Sequence, residues 1–185
     1  MGVETLNLAL FKAINAFAGH FKALDILAIF LASYLPYIFI LVLGFLFLFK
    51  KDFREPILCS GYAACVGLLV NFTIAYFYFH PRPFMEHIGK LLIPHDPETS
   101  FPSDHTTFML SVGFTLLAFK STRKLGIMLS ILGIIGGIAR VYCGLHWPFD
   151  ILGSFLISLL ASAFVVLIKS KIRCISNLIL SVLPF

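Results

Sequence analysis

Charge is scarce in this chain. Of its 185 residues, 12% are Asp, Glu, Lys or Arg, about half the share a soluble globular domain carries. That shortage excludes an ordinary water-covered surface. Cysteine is sparse too. Cys59, Cys65, Cys143 and Cys174 are scattered and form no CxxC pair, so they read as small apolar packing residues. The first 20 residues do not read as a signal peptide: Glu4 precedes Lys12, and the apolar run is interrupted by Asn7, Lys12 and Asn15. There is no internal repeat and no low-complexity stretch.

What is abundant is apolar. Hydrophobic residues make up 59% of the chain, with 21 phenylalanines, and they come in long runs. This composition and patterning place the protein in the membrane class. The expected fold is all-α: one membrane-embedded domain over 1–185, a polytopic transmembrane helix bundle preceded by an interfacial helix. In the first 21 residues Val3, Leu6, Leu10, Ile14, Phe17 and Phe21 recur at steps of three and four, one face of a helix lying in the interface. Five segments approach the roughly 20 apolar residues that a crossing needs. They run from about Leu24 to Phe49, Pro56 to Phe79, Ser103 to Phe119, Leu125 to Val141 and Trp147 to Ile168, and the third is short. The helical core is 24–168. The apolar tail 172–185 would make a sixth span only if it also crosses.

The net charge is +5, but the cations sit between apolar runs, so topology explains them better than a nucleic-acid partner. Nine of the fourteen Lys and Arg residues lie in short turns on one side: Lys50, Lys51 and Arg54; Lys120, Arg123 and Lys124; Lys169, Lys171 and Arg173. The positive-inside rule makes that side cytoplasmic. The N-terminal segment, the loop 80–102 and the turn 142–146 then face outward. A loop of that length inside a compact domain is usually functional. Its five prolines argue for a fixed path.

Three polar clusters fall on that outer side: His80-Pro81-Arg82-Pro83-Phe84, Phe101-Pro102-Ser103-Asp104-His105, and Arg140 with His146 and Asp150. Arg82 and Arg140 lie near span ends, where an unpaired cation is costly, and guanidinium groups bind phosphate oxygens bidentately. Ser103 and His105 sit at a helix start, where free N–H groups attract anions. The set suits a phosphate group. His146 and His105 are candidates for nucleophile and general acid. Asp150, four residues on, is placed to fix the tautomer of His146. The residues predict attack by His146 on phosphorus, protonation of the leaving oxygen by His105, and hydrolysis of a phosphohistidine. Arg82, Ser103 and Arg140 would bind the phosphate. His80, Asp104 and Glu86 are secondary candidates.

These clusters resemble the signature motifs of the type 2 phosphatidic acid phosphatase superfamily: Lys-x6-Arg-Pro, Pro-Ser-Gly-His and Ser-Arg-x5-His-x3-Asp. Three positions depart from the pattern: Ala75 for the lysine, Asp104 for the glycine and Ala139 for the serine. The cluster at 80–84, Ile93-Pro94-His95-Asp96 and the run Ser100 to His105 are similar to bacterial undecaprenyl-diphosphate phosphatases of the bacitracin-resistance type. That resemblance implies removal of the terminal phosphate of a polyprenyl diphosphate to recycle the cell-wall lipid carrier. It also implies no metal or cofactor, membrane lipid as the other partner, and residence in a bacterial cytoplasmic membrane with the site facing out. Two rival readings stand beside it. One is a phosphatase of phosphatidate, phosphatidylglycerol phosphate or lipid A; the other is a lipid transporter using the Arg–His–Asp set as a relay.

Overall fold

The structure is a computed structural model that describes residues 2–181. Among these the regular elements are all helical: α1 Val3–Asn15, α2 Lys22–Phe49, α3 Arg54–Phe77, α4 Asp104–Leu117, α5 Arg123–Tyr142 and α6 Pro148–Ser181, with 3-10 turns at Lys51–Phe53 and Pro83–Glu86. Four helices are long and apolar enough to cross a bilayer: α2, the stretch Lys51–Phe77, α5 and α6. Their outer faces carry exposed Leu41, Phe45, Phe77, Ile131, Leu160 and Leu167, as lipid contact requires.

The short third segment is α4. Its 14 residues rise about 21 Å at roughly 1.5 Å per residue, short of a hydrocarbon core of about 30 Å. Its surroundings explain the shortness. It packs against α3, α5 and α6, and Asp104 alone among its residues is exposed. Glycines on α5 permit the approach: a Cβ at Gly126 would lie 2.6 Å from the Leu117 backbone nitrogen. On the other flank Ser154, Ser158 and Ser162 of α6 donate to the carbonyls of Ser103, Thr107 and Ser111 at 3.1, 3.0 and 3.0 Å. Donors and acceptors both advance by four residues, so each turn of α6 is pinned to one turn of α4.

Two segments differ from expectation. Residues 172–181 form no separate sixth element but continue α6. The charged triplet Lys169, Lys171 and Arg173 marks the end of the apolar run, yet nothing there breaks a helix. Residues 182–185 of that tail lie outside the described region. The α1 helix does more than lie on the interface. Of the face expected to be interfacial, Val3, Leu6 and Leu10 in α1 and Phe17 and Phe21 beyond its end are exposed, but Ile14 packs inward, and the opposite face docks. Phe11 is fully buried and packs on Trp147 with ring centroids 5.1 Å apart. The Asn15 amide donates to Lys90 and Tyr142 carbonyls at 2.9 and 2.8 Å, and its oxygen accepts the Lys90 N–H at 2.7 Å. Thus α1 clamps the long loop to the end of α5.

Pro36 sits inside α2. Lacking an N–H, it leaves the Ala32 carbonyl one turn back without its helical donor. Arg140 Nη1 fills that vacancy at 3.1 Å.

Candidate phosphate-transfer site

The ends of α3, α4 and α5 and the long loop enclose a cavity of about 450 Å3 lined by Arg82, Arg140, His105 and His146 together with His95, Glu98, Asp104 and Asn71. Residues from all three clusters therefore meet in one place.

His146 lies in the turn between α5 and α6 and is 2% exposed. Its Nδ1 is 2.9 Å from the Ser100 carbonyl oxygen and 3.3 Å from Asp150 Oδ2. Both are acceptors, so Nδ1 carries the proton. Nε2 then presents its lone pair, which accepts from Arg82 Nη1 at 3.2 Å. Burial, assisted by the cations of Arg140 and Arg82, drives the imidazole pKa well below its ordinary value against the pull of Asp150. The ring is neutral.

Asp150 is 1% exposed, and its Oδ2 is crowded by donors. Its Oδ2 accepts the Trp147 N–H at 2.8 Å, one free donor of the first turn of α6, and the hydroxyl of Ser100. The next free donor, Phe149 N–H, goes to Asn7 Oδ1 of α1 at 3.0 Å. Ser100 is thus a junction. Its N–H donates to the His80 carbonyl at 2.7 Å, its carbonyl receives His146 and its hydroxyl holds Asp150.

Arg82 is 4% exposed. Its Nη1 also donates to the Leu145 carbonyl at 2.9 Å, and its Nη2 meets Glu98 Oε1 at 3.0 Å. Burial lowers its pKa, opposed chiefly by Glu98. Buried Nε atoms of both Arg82 and Arg140 have no protein partner, an arrangement suited to an incoming anion.

Asp104, at the glycine position, is turned toward α3, where Asn71 Nδ2 donates to it at 2.8 Å. The same amide reaches Thr107 at 3.0 Å. His105 follows Asp104 at the first turn of α4 and faces the cavity. Three of the expected residues stand elsewhere. Ser103 is fully buried outside the cavity lining; its N–H donates to Ser154 Oγ at 2.9 Å and its own hydroxyl accepts from Thr106 at 3.1 Å. Ser154 of α6 has claimed the backbone groups of Ser103, and Thr106 of α4 meets its hydroxyl. Glu86 lines a different pocket with Glu4, Asn7 and Trp147, because the turn Pro83–Glu86 carries it behind the strand of loop that bears Arg82. His80 borders that pocket too, with its Nδ1 3.7 Å from Asp150 Oδ1.

Ser100 and Glu98 were not among the expected site residues. Both reach the site through the folded path of the loop. Ser100 does so partly through its backbone carbonyl, which no residue type signals.

The PAP2 superfamily model matches residues 56–174. The chain is 37% identical over 156 residues to the undecaprenyl-diphosphatase BcrC of Bacillus subtilis, covering 84% of this chain and 80% of that protein. It is 35% identical over 155 residues to a putative undecaprenyl-diphosphatase, YbjG, of Escherichia coli, covering 83% and 78%. In three dimensions it is similar to the crystal structure of Aquifex aeolicus LpxE, with a TM-score of 0.75 and 27% identity over 90% of this chain and 99% of that one.

Proposed function

The chain belongs to the PAP2 superfamily, and from that premise we propose that it hydrolyses the terminal phosphate of undecaprenyl diphosphate, giving undecaprenyl phosphate and inorganic phosphate. Lipid phosphatase activity follows from the family and from relatives named undecaprenyl-diphosphatase. The choice of a polyprenyl diphosphate rests on those names and on the resemblance of the loop at 80–105 to phosphatases of the bacitracin-resistance type.

The observation that carries the mechanism is the unprotonated Nε2 of His146, with Nδ1–H held by Ser100 and Asp150 and Arg82 donating to Nε2. In the proposed first step the Nε2 lone pair forms a bond to the terminal phosphorus. The bridging P–O bond breaks, and its electron pair leaves on the polyprenyl phosphate oxygen, which takes a proton from His105. In the second step water attacks the phosphohistidine, the N–P bond breaks, and the proton of water returns to His105. Arg82, Arg140 and the free N–H groups opening α4 stabilise the charge on the equatorial oxygens. Asp150 offsets the positive charge that appears on the imidazole when it is phosphorylated. The bands of Lys and Arg support a site on the outer face of a bacterial cytoplasmic membrane.

The test is phosphate release from undecaprenyl diphosphate by the wild type and His146→Ala, with acid-labile labelling from 32P substrate. Loss of both turnover and label in the variant is expected. Undiminished turnover in His146→Ala refutes the mechanism. Faster turnover of phosphatidate or phosphatidylglycerol phosphate refutes the substrate.

A further inference from the structure

The cavity holds two arginines, Arg82 and Arg140, and two carboxylates, Glu98 and Asp104. Asp104 is held by Asn71 and not by either arginine. Glu98 is not. Its side chain is 59% exposed and comes from the loop, yet it lies on Arg82 Nη2 at 3.0 Å. The other terminal nitrogen of Arg82 is committed to Leu145 and His146. Nη2 is therefore the terminal nitrogen of Arg82 that is open to the cavity, and a carboxylate of this chain occupies it. A carboxylate oxygen on guanidinium mimics a phosphate oxygen. His95 Nε2, 3.6 Å from Glu98 Oε1, supports the placement.

We infer that Glu98 is a tethered competitor for the substrate's place: an anion that holds the phosphate position on Arg82 and must be displaced by every ligand. The inference rests on the phosphatase reading of this site. The displacement cost is common to all ligands, so it lowers every affinity by the same factor and leaves their ranking unchanged. Its consequence falls on product release. The departing products, inorganic phosphate and a lipid monophosphate, each carry one phosphate, and the returning carboxylate shortens their stay.

The test compares the wild type with Glu98→Gln, a neutral isostere at an exposed position, and Glu98→Asp, which keeps the charge. Two quantities are read: binding of inorganic phosphate from its effect on thermal unfolding, and its inhibition constant against turnover of undecaprenyl diphosphate. An exposed carboxylate on a buried arginine lies at the upper end of surface ion pairs. Inorganic phosphate should bind roughly fivefold tighter to Glu98→Gln, and its inhibition constant should fall by about the same factor. Glu98→Asp should lie nearer the wild type. Unchanged or weaker phosphate binding in Glu98→Gln overturns the inference. The binding measurement needs no turnover, so it stands even if the wild type fails to hydrolyse the diphosphate, a result that would sink the substrate assignment alone.

Discussion

Removing the Ser100 hydroxyl separates tuning of the nucleophile from holding it. In Ser100→Ala the backbone carbonyl remains, so His146 Nδ1–H keeps its nearer acceptor at 2.9 Å and the ring keeps its tautomer. The hydroxyl's bond to Asp150 Oδ2 is lost, together with its long contact of 3.5 Å to His146 Nδ1. A hydrogen bond to a charged group contributes about 1.5–3 kcal/mol. Asp150 still has the Trp147 N–H and His146 as donors, so the lower end applies. About 1.4 kcal/mol corresponds to a tenfold fall in kcat. KM should stay within about twofold, since Ser100 does not line the phosphate cavity. Ser100→Cys, with a weaker donor, should fall between. The assay is steady-state phosphate release in detergent micelles, alongside 15N NMR of the histidine ring and a thermal melt. Wild-type kcat in a folded Ser100→Ala protein would refute the reasoning. So would a loss matching His146→Ala, which would mean that the hydroxyl holds the ring rather than tuning its partner.

Two further predictions concern more distant supports. Pro36→Ala restores an N–H that competes with Arg140 for the Ala32 carbonyl; KM should rise about threefold to tenfold while thermal stability holds or increases, and an unchanged KM would disconnect Pro36 from the site. Ser154→Ala strips a partner from the buried Ser103 N–H as well as a bond to its carbonyl, a cost of about 1–3 kcal/mol. Ser158→Ala loses one interhelical bond worth about 0.6 kcal/mol; denaturation in mixed micelles should rank Ser154→Ala clearly the less stable, and equal losses would contradict the assigned roles.

The helices and the meeting of the three clusters were legible because hydrophobic run length and cation placement are one-dimensional signals. The basic triplet at 169–173 was also legible as a boundary, but of the apolar run rather than of α6. Contacts made across sequence were not. Ser103 looks free in a linear motif, and only the four-residue periodicity of Ser154, Ser158 and Ser162 hints that α6 claims it. Glu98 looks like loop surface until the loop's fold brings it onto Arg82. Asp104 looks repulsive until Asn71, thirty-three residues earlier, is seen to hold it.

The enclosure of α4 has a consequence for the membrane itself. A helix that meets lipid adjusts to bilayer thickness by tilting or by deforming its surroundings. The apolar residues of α4 are all at least partly covered by protein, and its register is pinned by the serines of α6. Hydrophobic mismatch therefore acts on the lipid-facing helices, while His105 keeps its depth relative to His146. Across bilayers of different thickness, the barrier to chemistry should change less than the ease with which a long-tailed lipid reaches it.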